Sequence, residues 1–264
     1  MGGSAVVAGP LRSFSVHRPP LLLLPPSEGK SAGGRPPTGP DSFAHELTAP
    51  RAAVVAELAN MLSHRARSRR SSVLGVRGPL LERAEAATAA LVEGTAPVLP
   101  AWRRYSGVVW AGLEPATLSL SDRRRILVPS GLYGMTTAAD HVADYRLRLT
   151  VSLGGLGRLS TFWRPTVTPA LARRARHRLL IDLLPAEHAH AVDPAGLDAS
   201  TRVVRVRFRT ADGRRAVGHE AKTVKGRLAR TLVDGGLDAV PAFESDGWRA
   251  RLEGDVVTVA APGR

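Results

Sequence analysis

The sequence contains no cysteine and no long apolar run among its 264 residues. Without cysteine the chain forms no disulfide, performs no thiol catalysis and offers no thiolate to a metal. The apolar run at 21–24 is too short for the core of a secretory signal, and it is far shorter than a membrane span. We therefore expect a cytoplasmic protein that does not contact a membrane.

Lysine is the second scarce residue, because only Lys30, Lys222 and Lys225 among the 37 basic residues are lysine. An ammonium is a compact point charge whose pKa moves readily on burial, which suits a phosphate contact or a proton transfer. We interpret the three lysines as markers of one working site and expect them to gather in one groove. The alternative is that they are the remainder of a compositional drift toward arginine.

Positive charge is abundant, and the formal net charge is +14 at pH 7. Residues 1–132 hold 16 basic and 9 acidic side chains, and residues 133–264 hold 21 and 14, so each half contributes +7. The charge therefore belongs to the folded body rather than to a tail. It favours a polyanionic partner, such as nucleic acid or a phosphorylated small molecule.

The apolar periodicity and the turn signals predict a single compact α+β domain over 20–260, preceded by a disordered extension at 1–19. We expect a mixed sheet flanked by helices. The predicted strands are 21–24, 108–110, 126–128 and 204–209, with a hairpin at 248–259; the predicted helices are 50–66, 80–91, 168–184 and 221–232, and 64–70 is predicted to be a basic link.

Two of these elements present cations. In the strand at 204–209, apolar residues alternate with Arg205, Arg207 and Arg209, which predicts a row of guanidinium groups on one face. In the helix at 221–232, Lys222, Lys225 and Arg227 could clamp phosphates. The alternative for that helix is a solvated charged face.

A glycine interrupts the same helix. Gly226 costs about 1 kcal/mol relative to alanine in a helix interior. This cost is most easily explained by the close approach of another backbone or of a ligand.

The segment Gly29-Lys30-Ser31 follows an apolar strand and resembles the end of a phosphate-binding P-loop. A true P-loop requires glycine where Leu24 stands, and the two prolines that follow it donate no N–H to phosphate. A nucleotide-hydrolysing P-loop is therefore excluded. The segment is instead predicted to be a rigid turn that presents Ser27, Glu28 and Lys30 at the end of a strand, which is a common place for a ligand site.

Polar residues also concentrate between 130 and 146. Ser130 and Tyr133 follow a strand in a glycine-bounded turn, and Asp140, Tyr145 and Arg146 come shortly after. This concentration indicates either a site or a tyrosine-rich core seam with surface acids.

Two weaker signals come later in the chain. His188 and His190 beside Glu187 could offer metal ligands on a strand, but ordinary surface histidines are favoured because no third well-spaced ligand follows. The glycine-rich segment at 154–157 is similar to the hairpin of helix-hairpin-helix DNA binders, although it is too short to distinguish from a plain turn.

Together, several segments resemble the YaaA family of bacterial peroxide stress proteins. The matching segments occur in order over about residues 20–250. They are Leu-Leu-Pro-Pro-Ser27-Glu28-Gly29-Lys30, Arg104-Tyr105-Ser106-Gly107 running to Gly112-Leu113, Ser130-Gly131-Leu132-Tyr133-Gly134 with Asp140 and Asp144-Tyr145-Arg146-Leu147, Phe162-Trp163, Leu184-Pro185-Ala186-Glu187, and Ala221-Lys222 through Arg230.

This resemblance implies a compact α+β domain with a basic cleft, DNA binding that involves a helix-hairpin-helix-like element, and a role in limiting oxidative damage when peroxide meets intracellular iron. Residues 1–19 are additional to the usual start of the family. Lys225 stands where many relatives have arginine, so bidentate geometry is lost there.

Our leading hypothesis is a DNA-binding stress protein that contacts the phosphates of double-stranded DNA without sequence preference. The alternative is an enzyme that acts on a nucleotide, a nucleobase or damaged nucleic acid. A third possibility is an interaction protein whose basicity reflects composition alone.

No cofactor, metal site or oligomeric state is predicted. The predicted phosphate-binding residues are Lys30, Arg146, Arg205, Arg207, Lys222, Lys225 and Arg227, and the catalytic candidates of the enzyme hypothesis are Ser27, Lys30, Tyr133, Asp140 and Glu187.

Overall fold

A computed structural model of the protein describes residues 18–37 and 39–263. Residues 1–17 of the predicted extension at 1–19 lie outside the described residues. The strands are β1 (Leu21–Leu23), β2 (Val98–Pro100), β3 (Ile126–Ser130), β4 (Gly134–Thr137), β5 (His141–Ala143), β6 (Leu179–Asp182), β7 (Arg202–Arg209), β8 (Glu244–Ser245), β9 (Trp248–Glu253) and β10 (Val256–Ala260). The helices are α1 (Ala44–Ser63), α2 (Arg67–Leu74), α3 (Pro79–Val92), α4 (Ala101–Arg104), α5 (Val108–Leu113), α6 (Leu120–Arg123), α7 (Leu159–Ala175), α8 (Ala186–Ala189) and α9 (His219–Gly235).

The main sheet has eight strands in the order β4-β3-β1-β6-β7-β10-β9-β8, and β2 and β5 form a second, small sheet. Its central strands β3, β1, β6, β7 and β10 are parallel, whereas β4, β9 and β8 are antiparallel to their neighbours. Every residue of β1 and β3 is buried. Because successive side chains of a strand point to opposite faces, both faces of the sheet are covered there. The predicted mixed α+β fold is thereby confirmed.

The strands that follow β1 in the chain lie on both sides of it in the sheet. The first connection leads to β3 on one side of β1, and the later strands β6, β7 and β10 lie on the other side. The point at which the strand order reverses is therefore between β1 and β6. In open sheets with parallel strands, a crevice opens at the carboxyl ends of the strands at such a point.

Helices α5 and α9 pack against each other through two facing glycines. A Cβ added to Gly226 would lie 2.3 Å from the carbonyl oxygen of Val109 and 2.9 Å from the Cα of Gly112. The close approach that Gly226 predicts is therefore the approach of another backbone. This contact fixes α9, with its two lysines, against α5.

Four expectations about secondary structure are wrong, and one of them is the strand at His188 and His190, because 186–189 form helix α8. The apolar residues 108–110 belong to helix α5 rather than to a strand, because a short apolar run fits either element and packing on α9 decides. The predicted helix at 168–184 is two elements, α7 and β6, separated where His177 has a positive φ of 56°. The predicted link at 64–70 contains the start of α2, whose arginines pair with glutamates of α3.

The remaining elements lie close to their predicted positions. Strand β7 buries Val204 and Phe208 and exposes Arg205 and Arg207, as the alternation predicts. Among the helices of the described residues, none has the length and apolar character needed to cross a membrane.

Candidate functional site

A cavity of about 1030 Å³ opens at the carboxyl ends of β1, β6 and β7. Its walls come from 25–30 after β1, 145–150 after β5, 182–189 after β6, 205–209 in β7 and the first turns of α9. It therefore occupies the crevice that the strand reversal predicts, and all three lysines of the chain line it.

The loop after β1 is held in place by contacts with α5 and with the residue before it. The indole N–H of Trp110 donates to the carbonyl of Pro25 at 3.1 Å, and Ser27 is only 8% exposed. A Cβ on Gly107 would lie 2.3 Å from Oγ of Ser27, so only glycine fits beneath this serine. Lys30 closes the loop through a β-bridge to Tyr105.

The Lys30 ammonium lies near the rings of two tyrosines. Its Nζ donates to the carbonyl of Ser27 at 2.8 Å and lies 4.2 Å from the ring centroid of Tyr145 and 5.6 Å from that of Tyr105. Burial, assisted by the nearby Arg146 guanidinium, lowers the pKa of Lys30 from 10.5 to about 7. A large fraction of this side chain is therefore a neutral amine near neutral pH.

A chain of hydroxyl groups lies behind this lysine. Ser130 donates to the phenolic oxygen of Tyr145 at 2.8 Å, and the hydroxyls of Tyr145 and Tyr105 are 2.9 Å apart. Burial raises the pKa of Tyr145 to about 12 and raises that of Tyr105 well above its usual range. Both phenols therefore stay protonated and hold their rings in place.

Lys225 lines the cavity from helix α9. Its Nζ donates to the carbonyl of Leu183 at 2.8 Å, and burial lowers its pKa to about 8 although Asp182 opposes this shift. Burial also raises the pKa of Asp182, which accepts a hydrogen bond from the backbone N–H of Leu184 at 2.8 Å. A carboxyl and an ammonium of altered acidity thus lie together at the end of β6.

The short helix α8 adds His188 and Glu187 to the lining. Burial lowers the pKa of His188, and its Nδ1 is buried without a hydrogen-bond partner among the described residues. The imidazole is therefore a neutral polar group whose capacity for hydrogen bonding is unused by the described part of the protein.

The lining carries nine basic and three acidic side chains. Among the residues that the structure describes, the only one of these cations in a salt bridge is Arg148, which pairs with Glu28 at 2.8 Å. The other eight basic residues are Lys30, Arg146, Arg205, Arg207, Arg209, Arg215, Lys222 and Lys225.

The predicted site residues divide into two groups. The cavity brings together Ser27, Lys30, Arg146, Glu187, Arg205, Arg207, Lys222 and Lys225. Tyr133, Asp140 and Arg227 do not line it.

Each of these three has a partner elsewhere. The Tyr133 hydroxyl accepts from the backbone of Ala143 at 3.0 Å. Asp140 accepts from Ser42 and from the backbone N–H of Thr137. Arg227 binds Ser245 and Asp246.

Sequence reasoning missed Asp182 and Arg215 as lining residues, named Arg209 only in the row of guanidinium groups, and considered His188 only as a metal ligand. Asp182 follows three apolar residues of β6, and this pattern was hidden because 168–184 also fits a helix. The segment at 154–157 contains a 3-10 turn, Gly154–Leu156, that precedes α7 and follows a stretch without a helix. Within the described residues, no three His, Asp or Glu side chains are grouped as metal ligands would be.

Comparison with known proteins identifies the family. A family model described as peroxide stress protein YaaA matches residues 21–252. A UPF0246 protein of Streptomyces coelicolor is 34% identical over 249 residues, which cover 88% of this chain and 92% of that protein. A UPF0246 protein of Corynebacterium efficiens is 34% identical over 231 residues, which cover 85% of this chain and 89% of that protein. The resemblance seen in the motifs is confirmed, and the chain belongs to the YaaA family of peroxide stress proteins.

Proposed function

We propose that this peroxide stress protein binds the phosphate backbone of double-stranded DNA at the mouth of the cavity, without sequence preference. Contacts between cations and phosphates fix the position of a protein on DNA but carry no sequence information. Bound protein would limit damage to the covered DNA when peroxide and iron meet.

The observation that supports this proposal is the set of cavity cations without carboxylate partners. Arg205 and Arg207 project from β7, Lys222 from α9, and all three are exposed. Arg146 is half-buried and makes no hydrogen bond or ion pair with any residue in the described part of the chain. Guanidinium and ammonium groups that lack a protein partner are available to an anionic ligand.

The test is the salt dependence of duplex binding, measured by fluorescence anisotropy with a labelled 20-base-pair duplex. The variant Arg205→Gln/Arg207→Gln/Lys222→Gln removes three cavity cations. We expect its slope of log affinity against log salt to fall by about 2.7 relative to wild type, because each lost phosphate contact removes about 0.9.

The matched control is Arg67→Gln/Arg173→Gln/Arg249→Gln, which removes the same charge from exposed arginines that pair with glutamates outside the cavity. Its slope is expected to stay close to that of wild type. Equal losses in the two triple variants would show that general charge rather than the cavity binds DNA, and binding that is independent of salt would contradict the electrostatic mechanism.

A second candidate function is an enzyme that acts on a nucleotide, a nucleobase or damaged nucleic acid. It is favoured by the cavity's content of proton-transfer groups: a lysine with a pKa of about 7, the carboxyl of Asp182 with a raised pKa, and the neutral imidazole of His188. Chromatography of the products is expected to show turnover by wild type and its loss in Lys30→Met. Binding of such ligands without turnover would leave only the first function.

A further inference from the structure

Lys30 differs from the other two lysines in its surroundings. Lys222 is exposed on α9, and Lys225 has the carboxyl of Asp182 nearby. Lys30 has the guanidinium of Arg146 as its strongest charged neighbour, and the faces of two tyrosine rings lie against its Nζ. A lysine desolvated beside another cation is a standard arrangement for an amine nucleophile.

The geometry leaves this amine able to react. Its Nζ makes one hydrogen bond, to the carbonyl of Ser27, and it lines the open cavity. When the amine is neutral, one N–H is used in that bond and the nitrogen lone pair is unshared. The electrophile that suits a neutral lysine amine is a carbonyl carbon, with which it forms a Schiff base.

The surroundings of the amine indicate the class of carbonyl compound. Arg146 is next to Lys30 without an ion-pair partner in the described residues, and Arg205 and Arg207 line the same cavity. These cations suit a substrate that carries phosphates on either side of the reacting carbon. Loss of a base from DNA by cleavage of the glycosidic bond leaves a deoxyribose whose ring opens to a C1′ aldehyde, flanked by two phosphates.

We propose that Lys30 is a nucleophile that captures the open-chain sugar aldehyde at an abasic site in DNA as a Schiff base. This inference rests on the proposed binding of DNA in the cavity and specifies the substrate of that site. Intact duplex would be held by its phosphates alone, whereas a duplex with an aldehyde would also become bonded to the protein.

The step balances without an oxidant or a reductant. The lone pair of Nζ attacks C1′ of the aldehyde, a C–N bond forms, and the carbonyl oxygen takes up a proton to give a carbinolamine. The nitrogen then loses one proton, the C–O bond breaks as the hydroxyl leaves as water with a proton from solvent, and the resulting iminium loses its second proton to solvent to leave a C=N bond. The net change is the amine plus the aldehyde giving the imine plus one water.

The test is borohydride trapping, which reduces an imine to a stable amine. Full-length protein is incubated with a duplex that contains one abasic site, borohydride is added, and the covalent complex is separated by denaturing electrophoresis and digested for mass spectrometry. The scarcity of lysine makes the assignment unambiguous, because the only primary amines in the sequence are three lysines and the α-amino group.

We expect a trapped complex with the adduct on Lys30. Lys30→Arg keeps the positive charge but removes the primary amine, so trapping should fall at least tenfold, and a cooperative melting transition checks that the variant is folded. Lys222→Arg and Lys225→Arg each keep the positive charge and the Lys30 amine but remove one competing amine, so the adduct found in either variant should still map to Lys30. An adduct on Lys222, Lys225 or the α-amino group would overturn the assignment.

Two further arms separate this inference from the proposed function. The intact duplex of the same sequence measures phosphate binding without an aldehyde: if it binds and the abasic duplex gives no adduct, the nucleophile inference fails and the proposed function stands. If neither duplex binds, both fail. Free 2-deoxyribose 5-phosphate tests the other source of this aldehyde, and an adduct with the free sugar but none with DNA would overturn the assignment of DNA as substrate.

Discussion

Two regions of the protein use arginine in opposite ways. Behind the loop at 31–35, Arg104 is fully buried and donates to the carbonyls of Ser31, Gly33, Pro97 and Val142. At the cavity, Arg146, Arg205 and Arg207 have no such partner among the described residues. The comparison teaches that donors satisfied within the protein hold the fold together, whereas unsatisfied donors that line a cavity are available to a ligand.

The largest expected effect is the loss of stability when the buried Arg104 is replaced. Arg104→Met empties a fully buried position and leaves four carbonyls, including that of buried Val142, without their donor, so the free energy of unfolding should fall by roughly 3–5 kcal/mol. Urea denaturation followed by circular dichroism measures this change. The neighbouring Arg103→Met is the control, because Arg103 is exposed; its effect should stay within about 0.5 kcal/mol. A similar loss in both variants would contradict the structural role of Arg104.

The next prediction concerns the helix that carries two of the cavity lysines. Gly226→Ala places a methyl group against the backbone of α5, which cannot move as a side chain can, so we expect a loss of about 1–3 kcal/mol in the free energy of unfolding. In Gly155→Ala the nearest atom to the new Cβ is the carboxylate of Glu57 at 3.4 Å, and little change is expected. If Gly226→Ala is as stable as wild type, the close contact of α5 and α9 is not required.

A third prediction compares an unpaired arginine of the cavity with a paired arginine outside it. Arg146→Glu replaces an unpaired cation by an anion, and duplex affinity at moderate salt should fall by about thirtyfold, which corresponds to roughly 2 kcal/mol for a charged hydrogen bond. Arg83→Glu makes the same charge change at an exposed arginine that pairs with Asp144 outside the cavity. Anisotropy titrations that show equal losses would remove the distinction between paired and unpaired arginines.

The last prediction concerns the dependence of stability on pH. The pKa of Lys30 is about 7 in the folded protein and 10.5 in the unfolded chain. Between these values the unfolded chain binds more protons, so the contribution of Lys30 to the free energy of unfolding rises with pH from about 7 to 10.5. Lys30→Met should flatten this rise in urea denaturation. An identical pH profile for Lys30→Met and wild type would contradict the burial of this amine.

Much of the fold follows from periodicity in the sequence. Alternation predicts β7 with the correct inward face, and apolar spacing predicts α1, α3 and α9. The scarcity of lysine predicts that three distant positions share one groove, and all three line the cavity.

The errors have one physical origin, which is that short apolar runs fit both a helix and a strand. Residues 108–110 become helical because two glycines let α5 approach α9. Residues 179–182 become a strand because they pair between β1 and β7. Asp182 was missed for the same reason, since an acid at the end of a strand is recognised only once the strand is recognised.

The walls of the cavity come from segments that are up to 200 residues apart in the chain, from Pro25 to Lys225. A polypeptide still on the ribosome and interrupted before α9 lacks two of the three ammonium groups and one side of the crevice. The set of cations that line the cavity is therefore complete only after α9 has been synthesised.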